Sequence, residues 1–284
     1  MKIKNIYVIL FTLILLGLLI IPFAHGSTTT INNSAVAEFL QLKTARETLE
    51  PSTFSLNVIM SFKEGKKWER CAVIRATAFK VEGYFITSKH EVNKKEEMSD
   101  ACKKYLSIKR KTEISSLEKE EIQLEFFLMD AKKLAFPVTI KKMEIDDIAF
   151  LSANSSFIKK YKSVNFRSGS PLVDFKKGTV TSGKGPMILS DEPAIAMGTP
   201  NDTLFELSKG YLGKDLFRFK EMNLIPFTGP INSGNSGGPL MSLLDNKVIG
   251  MIVMVKTDKG HPTLHAGAIP FWRIQKALKN IDTK

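Results

Sequence analysis

The chain has 284 residues, of which 43% are hydrophobic and 25% are charged. These values suit one large or two small packed domains, and they exclude a low-complexity chain and a repeat array. The formal net charge of +12 comes from lysines spread along the sequence, not from an arginine-rich helix with interleaved aromatic residues. The charge therefore indicates a solvated basic surface, and nucleic-acid binding is not predicted.

The N-terminus, residues 1–26, has the three parts of an export signal. Lys2 and Lys4 precede an uncharged apolar run, and a small-residue site follows at residues 24–26 (AHG). This pattern predicts a signal peptide that is cleaved directly after the site. The apolar run is also long enough to span a bilayer, so an uncleaved signal anchor that tethers the protein through residues 5–24 is the alternative. In both cases the rest of the chain is expected outside the cytoplasmic membrane, as a periplasmic or secreted protein.

Residues 27–52 are predicted to form an N-terminal extension. Apolar residues recur at helical spacing between Ser34 and Leu42, and Glu50 with Pro51 ends this stretch. The extension is therefore expected to be partly helical.

From Thr53 onward the pattern changes to short β-branched and aromatic runs that are separated by Gly, Lys and Glu. Runs of this kind are typical of strands joined by turns, so an all-β fold is predicted. The clearest predicted strands are Phe54–Met60, Ala72–Phe79, Tyr84–Thr87, Ile122–Leu128 and Phe136–Ile140.

Two cysteines, Cys71 and Cys102, are the only ones in the sequence. In an exported protein such a pair can form a disulfide, which would stabilise the fold by roughly 3–4 kcal/mol, and two reduced thiols are the alternative. Two cysteines without histidines at metal-ligand spacing are too few for a closed zinc site. Neither a metal nor another cofactor is predicted.

A serine between glycines stands out in residues 232–238 (NSGNSGG). Glycines on both sides of Ser236 allow a sharp turn, so that the backbone N–H groups of Gly234 and Ser236 can point into one small hole. A nucleophile whose own N–H also binds an oxyanion suits acyl transfer. An ordinary Gly/Ser/Asn turn is the alternative interpretation of the same residues.

Residues 234–239 (GNSGGP) resemble the nucleophile loop of the trypsin/chymotrypsin-like serine proteases, in the form found in bacterial HtrA-like members. That family orders its catalytic residues His, Asp, Ser along the chain. Residues 83–92 (GYFITSKHEV) resemble its strand that ends in Thr-x-x-His-x-Val, which implies that His90 is the general base. Residues 146–151 (DDIAFL) resemble its segment in which a carboxylate precedes Ile-Ala-hydrophobic-Leu, which implies that Asp147 orients the imidazole.

The resemblance implies a fold of two six-stranded antiparallel β-barrels, chymotrypsin-like, with a C-terminal helix. The N-terminal barrel is expected over residues 53–165, with His90 and Asp147, and the C-terminal barrel with the helix over residues 166–284, with Ser236. Asp146 is expected to be a turn or cap residue. Because the sequence stops soon after the helix, the PDZ domain of many HtrA-like proteins is not expected.

The substrate pocket is less well specified. Trypsin-like cleavage after Lys or Arg uses an Asp six residues before the serine, and Pro230 stands there. Cleavage after aliphatic or aromatic residues is therefore predicted, and cleavage after Glu through His261 or His265 is the alternative. The predicted pocket residues are Ile231, Asn232, Ser233, Met251, Ile252 and Val253.

Together these residues predict an exported serine endopeptidase that hydrolyses polypeptides through an acyl-enzyme, with His90, Asp147 and Ser236 as the triad and Gly234 and Ser236 as the oxyanion hole. The alternative is an inactive protein of the same fold that binds polypeptides or envelope components. Asn235 stands where trypsin-type zymogens carry an Asp that binds a new N-terminal ammonium, so no such insertion is expected.

Overall fold

The structure is a computed structural model that describes residues 33–111, 122–144, 146–167, 173–174, 179–180, 188–200, 205–219, 221–258 and 261–281. The predicted export signal lies outside these residues. The first described element is helix α1 (Asn33–Leu49), followed by a single 3-10 turn at Glu50–Ser52. From Leu40 onward, α1 belongs to the same compact unit as the rest of the chain. No helix in the described part of the chain is both long enough and apolar enough to cross a bilayer.

Six antiparallel strands close into a barrel in the first half of the chain. The strands are β1 (Thr53–Glu64), β2 (Lys67–Val81), β3 (Tyr84–Ser88), β4 (Ile122–Met129), β5 (Ala135–Met143) and β6 (Ile148–Ser152). They follow one another around the barrel in the order β1-β2-β3-β6-β5-β4. The prediction of a predominantly β fold is therefore confirmed.

Aromatic side chains from three of the predicted strands fill this barrel. The ring of Phe54 packs edge-on against Phe85 at 5.0 Å and against Phe136 at 5.9 Å between centroids. All three rings are buried. Alternate residues of a strand point to opposite faces, so the predicted strands each direct one such ring inward.

Three helices accompany the barrel: α2 (Lys89–Val92), α3 (Lys95–Arg110) and α4 (Ser155–Lys160). Helix α3 packs on the barrel through one face, on which Met98, Cys102 and Leu106 are buried. A disulfide between Cys71 of β2 and Cys102 joins the helix to the sheet, so of the two alternatives the structure contains the bonded pair.

The second half of the chain forms another antiparallel sheet, of seven strands. A separate two-stranded pair comes first along the chain, β7 (Val173–Asp174) and β8 (Thr179–Val180). The strands of the seven-stranded sheet are β9 (Pro193–Gly198), β10 (Glu206–Tyr211), β11 (Phe217–Phe219), β12 (Met222–Phe227), β13 (Pro239–Ser242), β14 (Val248–Asp258) and β15 (His261–Pro270). The order in the sheet is β10-β9-β13-β14-β15-β12-β11. An isolated antiparallel bridge between Leu212 and Phe227 also links the end of β10 to β12.

Helix α5 (Phe271–Lys279) ends the described chain, and it confirms the C-terminal helix that was predicted. Its residues Phe271, Ile274, Ala277 and Leu278 are buried, as expected for one apolar face of an amphipathic helix.

The barrel and the second sheet share one apolar cluster. Its buried members from the barrel include Phe79, Ile86 and Phe150, and those from the second sheet include Met197, Met241 and Met251. This shared cluster packs the two sheets against each other.

A buried charge network anchors the segment that enters the second sheet. Arg167 is 4% exposed and donates to Glu192 Oε2 at 3.1 Å and to Asp245 Oδ2 at 2.9 Å. Glu192 also accepts from Ser242 Oγ of β13. Because both charges of the Arg167–Glu192 pair are buried, each depends on the other for its solvation.

Candidate active site

His90 is the second residue of α2, which begins where β3 ends. Thr87 Oγ1 of β3 donates to Thr77 O of β2 at 2.7 Å and fixes this strand end. The imidazole is half-buried, with 39% of the side chain exposed. One part of the ring therefore packs on the protein while another part remains accessible.

Asp147 holds His90 by two hydrogen bonds. Its Oδ2 lies 2.7 Å from His90 Nδ1, and its Oδ1 accepts from the His90 backbone N–H at 2.8 Å. Asp147 O also accepts from Lys89 N at 2.9 Å, and Asp147 has φ 59°, in the left-handed region that Asp tolerates better than most residues. With Nδ1–H donated to this carboxylate, Nε2 is the nitrogen left for acid–base chemistry.

The neighbouring carboxylate, Asp146, has a different partner. It forms an ion pair with Arg273 of α5, so it joins the barrel to the C-terminal helix. Only Asp147 of the two adjacent aspartates contacts the imidazole.

The loop that carries Ser236 requires its glycines. Gly234 has φ 97° and Gly237 has φ 85°, values that side chains with a Cβ rarely adopt. A Cβ on Gly237 would lie 2.1 Å from Thr77 O and 2.3 Å from Thr87 Oγ1, and a Cβ on Gly234 would lie 2.4 Å from Thr199 O. The loop is thus packed directly against the strands that lead to His90.

Thr77 holds this loop from the barrel. Its N–H donates to Ser236 O at 2.9 Å, and its Oγ1 donates to Gly234 O at 2.6 Å and accepts from Thr199 N at 3.0 Å. Because Thr77 is fully buried, these bonds are shielded from water. The sequence offered no signal for this contact, which joins residues 157 positions apart.

Three polar groups of the serine loop make no hydrogen bond to a described residue. Within the described part of the chain, neither the N–H of Gly234 nor the N–H of Ser236 has a hydrogen-bond partner, and Ser236 Oγ has none either. Two N–H groups that are two positions apart in a glycine turn, and that have no described partner, are what an oxyanion hole needs. Asn235 between them is buried, and neither atom of its amide is hydrogen-bonded to a described residue. Its side chain instead packs closely on Gly198, where an added Cβ would lie 3.0 Å from Asn235 Cγ.

Ser236 and His90 belong to neighbouring backbone segments, but their side chains are not hydrogen-bonded. The backbone contact is close, since a Cβ on Gly237 would lie 3.1 Å from the N atom of Ser88. The Nε2 edge of the imidazole faces Glu91 Oε1 at 3.1 Å. The structure thus joins the side chains of His90 and Asp147 directly, and it places the backbone next to Ser236 against the residue two positions before His90.

Glu91 is a site residue that the sequence analysis did not identify. Its side chain is 6% exposed, and Lys94 Nζ lies 3.0 Å from its second carboxylate oxygen. Burial raises the pKa of Glu91, but the hydrogen bond to His90 and the charge of Lys94 outweigh this and lower it below its ordinary value. Glu91 is therefore a carboxylate at neutral pH.

His90 is charged in this arrangement. Burial lowers the pKa of His90, but hydrogen bonds to Asp147 and Glu91, together with their charges, outweigh burial and raise the pKa to about 9. At neutral pH the ring is an imidazolium between two carboxylates.

A cleft of about 400 Å³ runs from the serine loop to the segment that follows His90. Its polar side chains are those of Arg75, Lys94, Glu97, Thr199 and Ser233, and Val73, Ile74 and Gly234 complete the lining. The lining carries charges of both signs, so it does not select a strongly charged ligand by electrostatics alone.

The predicted pocket residues do not all lie together. Met251 and Val253 are buried in the cluster between the two sheets, whereas Ile252 and Ile231 are buried in a different cluster within the second sheet. This separation follows from the alternation of side chains along β14.

Two other residues from that prediction, Asn232 and Ser233, are exposed, and Ser233 lines the cleft. His261 and His265 lie on β15, but their side chains are outside the part of the chain that the structure describes.

No group of three or more His, Cys, Asp or Glu side chains that could hold a metal ion occurs among the described residues. Models of known protein families give no match to this chain. A search of curated proteins gives no match either.

Proposed function

We propose that the protein is an exported serine endopeptidase that hydrolyses peptide bonds through an acyl-enzyme. One observation carries the proposal: the paired side chains of His90 and Asp147 lie beside a glycine turn in which Ser236 Oγ and two N–H groups have no described partner. No described protein group engages these three polar groups, and an acyl-transfer site needs such groups available for the substrate.

In the proposed reaction, Ser236 Oγ attacks the carbonyl carbon of the peptide bond while His90 Nε2 accepts the hydroxyl proton. The N–H groups of Gly234 and Ser236 bind the carbonyl oxygen as it becomes negative. Asp147 keeps the proton on Nδ1 and stabilises the imidazolium. The tetrahedral intermediate collapses, the C–N bond breaks, and His90 returns the proton to the leaving amine. Water then cleaves the ester by the same route.

The proposed fold has two barrels of the trypsin-like type. In the second sheet, β10-β9-β13-β14-β15-β12 is a run of six strands whose first and last members touch. Gly213 N donates to Pro226 O at 2.9 Å and Thr228 N donates to Tyr211 O at 3.0 Å, on either side of the Leu212–Phe227 bridge. These bonds support closure into a ring, with β11 as an extension of β12.

The substrates we propose are polypeptides, cleaved after aliphatic or aromatic residues. The support is the apolar character of Ile231, Ile252 and their neighbours behind the serine loop, and the absence of a carboxylate at Pro230. Cleavage after Glu remains the second candidate, since β15 carries two histidines.

A binding role without catalysis is the alternative function. It is favoured by one specific observation, the contact of His90 Nε2 with Glu91 instead of Ser236. If Nε2 never leaves Glu91, Ser236 has no base, and the cleft can bind a polypeptide but not cleave it.

Hydrolysis of a peptide library by the full-length protein and by Ser236→Ala, at pH 7 and pH 9, tests the proposal. We expect the substitution to reduce hydrolysis by several orders of magnitude, because it removes the attacking atom. Ser190→Ala, which removes an exposed hydroxyl from another loop, is the matched control and is expected to retain activity. Equal hydrolysis by wild type and Ser236→Ala would refute the assignment.

A further inference from the structure

The contact between His90 and Glu91 occupies the nitrogen that the proposed reaction uses. His90 Nε2 lies 3.1 Å from Glu91 Oε1, while the opposite ring nitrogen lies 2.7 Å from Asp147 Oδ2. Both carboxylates are mostly buried, with 6% and 17% of their side chains exposed. The imidazole is therefore held at both of its nitrogens.

This contact and the basic form of His90 exclude each other. A carboxylate can only accept hydrogen bonds, so the contact with Glu91 requires a proton on Nε2. A general base needs a lone pair on that same nitrogen. When His90 loses the Nε2 proton, the lone pair faces a carboxylate oxygen and the contact becomes repulsive. The deprotonation that creates the base therefore also releases it from Glu91.

Other charged groups determine how strongly Glu91 holds the imidazolium of His90. Lys94 Nζ lies 3.0 Å from Glu91 Oε2, and it lines the cleft together with Arg75 of β2 and Glu97 of α3. From the β6 side, Asp147 is the charged residue that contacts the imidazole. Lys94 thus neutralises part of the charge of Glu91, and it opposes the hold on the imidazolium.

We propose that Glu91 is a positioning residue that holds the Nε2 edge of His90 in the resting protein, and that this edge must leave Glu91 before Ser236 can be activated. The consequence for catalysis rests on the proposed function, whereas the hold on His90 does not.

The two carboxylates beside His90 should make the activity depend on pH. Glu91 and Asp147 raise the pKa of His90 to about 9, so the basic form is scarce at neutral pH and activity should increase as the pH rises toward 9. Glu91→Gln removes one of the two negative charges, which lowers the pKa of His90. Each unit of that decrease raises the neutral fraction, and with it the activity at pH 7, about tenfold.

The experiment follows His90 and Ser236 separately in the full-length protein. The His90 titration is measured by NMR of labelled histidine, with the signal assigned by its loss in His90→Asn. The reactivity of Ser236 is measured as the rate of fluorophosphonate labelling between pH 5 and pH 10. Wild type, Glu91→Gln, Lys94→Met and Glu96→Gln are compared.

We expect Glu91→Gln to lower the His90 pKa and to shift the acidic limb of labelling to lower pH by the same amount. Lys94→Met should shift both to higher pH, since it removes a cation near the imidazolium. Glu96→Gln neutralises an exposed carboxylate five residues further along from Glu91 and should change neither. Opposite shifts from two neighbouring variants are not expected of a purely structural residue.

An unchanged NMR titration of His90 in Glu91→Gln would overturn the inference. A lowered His90 pKa with an unshifted labelling profile would also overturn it. The activation of Ser236 would then not depend on the release of His90 from Glu91. If no protein is labelled at any pH, the proposed function fails, and the NMR titration alone decides whether Glu91 holds His90.

Discussion

The two sides of the candidate site differ in how many of their polar groups already have partners. On the base side, both nitrogens of His90 and both carboxylate oxygens of Asp147 are engaged. On the nucleophile side, Ser236 Oγ and the N–H groups of Gly234 and Ser236 have no partner in the described part of the chain. In the reaction that we propose, the serine loop can receive a substrate directly, whereas His90 must first give up its contact with Glu91.

The scaffolds of the two sides also differ. The barrel beneath His90 is closed and is joined to its helix by the disulfide between Cys71 and Cys102. The sheet beneath Ser236 depends on packing and on the buried pair of Arg167 and Glu192. The comparison predicts that, among changes that keep Ser236, those on the base side affect catalysis most, and that the second sheet is most sensitive to loss of a buried charge.

Among variants that keep Ser236, the largest effect is expected for Asp147→Asn. The amide keeps the shape but loses the charge that stabilises the imidazolium and the acceptor that fixes the tautomer, so kcat should fall by about 10³–10⁴-fold. Asp146→Asn is the matched control, because this adjacent carboxylate pairs with Arg273 and not with His90. Steady-state kinetics of both variants measure the difference. Equal losses of kcat would show that Asp147 has no special role.

A smaller effect, on stability, is expected for Arg167→Met. It leaves Glu192 buried without its counter-charge, which costs about 3–5 kcal/mol of the free energy of unfolding. Arg46→Met removes an exposed arginine whose ion pair with Glu50 spans 3.3 Å, and it should cost less than about 1 kcal/mol. Urea denaturation monitored by circular dichroism gives both values. A loss for Arg167→Met as small as that for Arg46→Met would contradict the role given to the network.

The smallest effect is expected for Thr77→Val, which tests how the barrel supports the serine loop. The substitution keeps the volume but leaves Gly234 O without its donor, so the oxyanion hole is less well fixed and kcat should fall by about tenfold, with little change in KM. Thr53→Val removes another buried hydroxyl, which donates to Leu49 O at 2.8 Å, and it should lower stability without lowering kcat. An unchanged kcat in Thr77→Val would show that Thr77 does not support the oxyanion hole.

Much of the scaffold could be predicted from local sequence. The β-rich pattern after Thr53 and the apolar periodicity after Pro270 gave the strands and the C-terminal helix, because each depends on neighbouring residues. The pairing of His90 with Asp147 was expected only through the resemblance, because no local pattern joins residues 57 positions apart.

Other features of the site had no signal in the sequence. Glu91 follows His90 directly, but whether its side chain returns to Nε2 depends on the short helix α2 and on Lys94. The contact of Thr77 with Gly234 exists only because two sheets meet. Alternation along β14 placed Ile252 apart from Met251 and Val253, which a list of apolar residues could not show.

Fluorophosphonate labelling followed by peptide mass spectrometry tests whether Ser236 is a nucleophile that His90 activates. We expect one adduct, on the peptide that contains Ser236, formed faster at pH 9 than at pH 7 and absent from Ser236→Ala. Failure of the wild-type protein to form this adduct at any pH, or an equal yield of adduct in Ser236→Ala, would contradict this expectation.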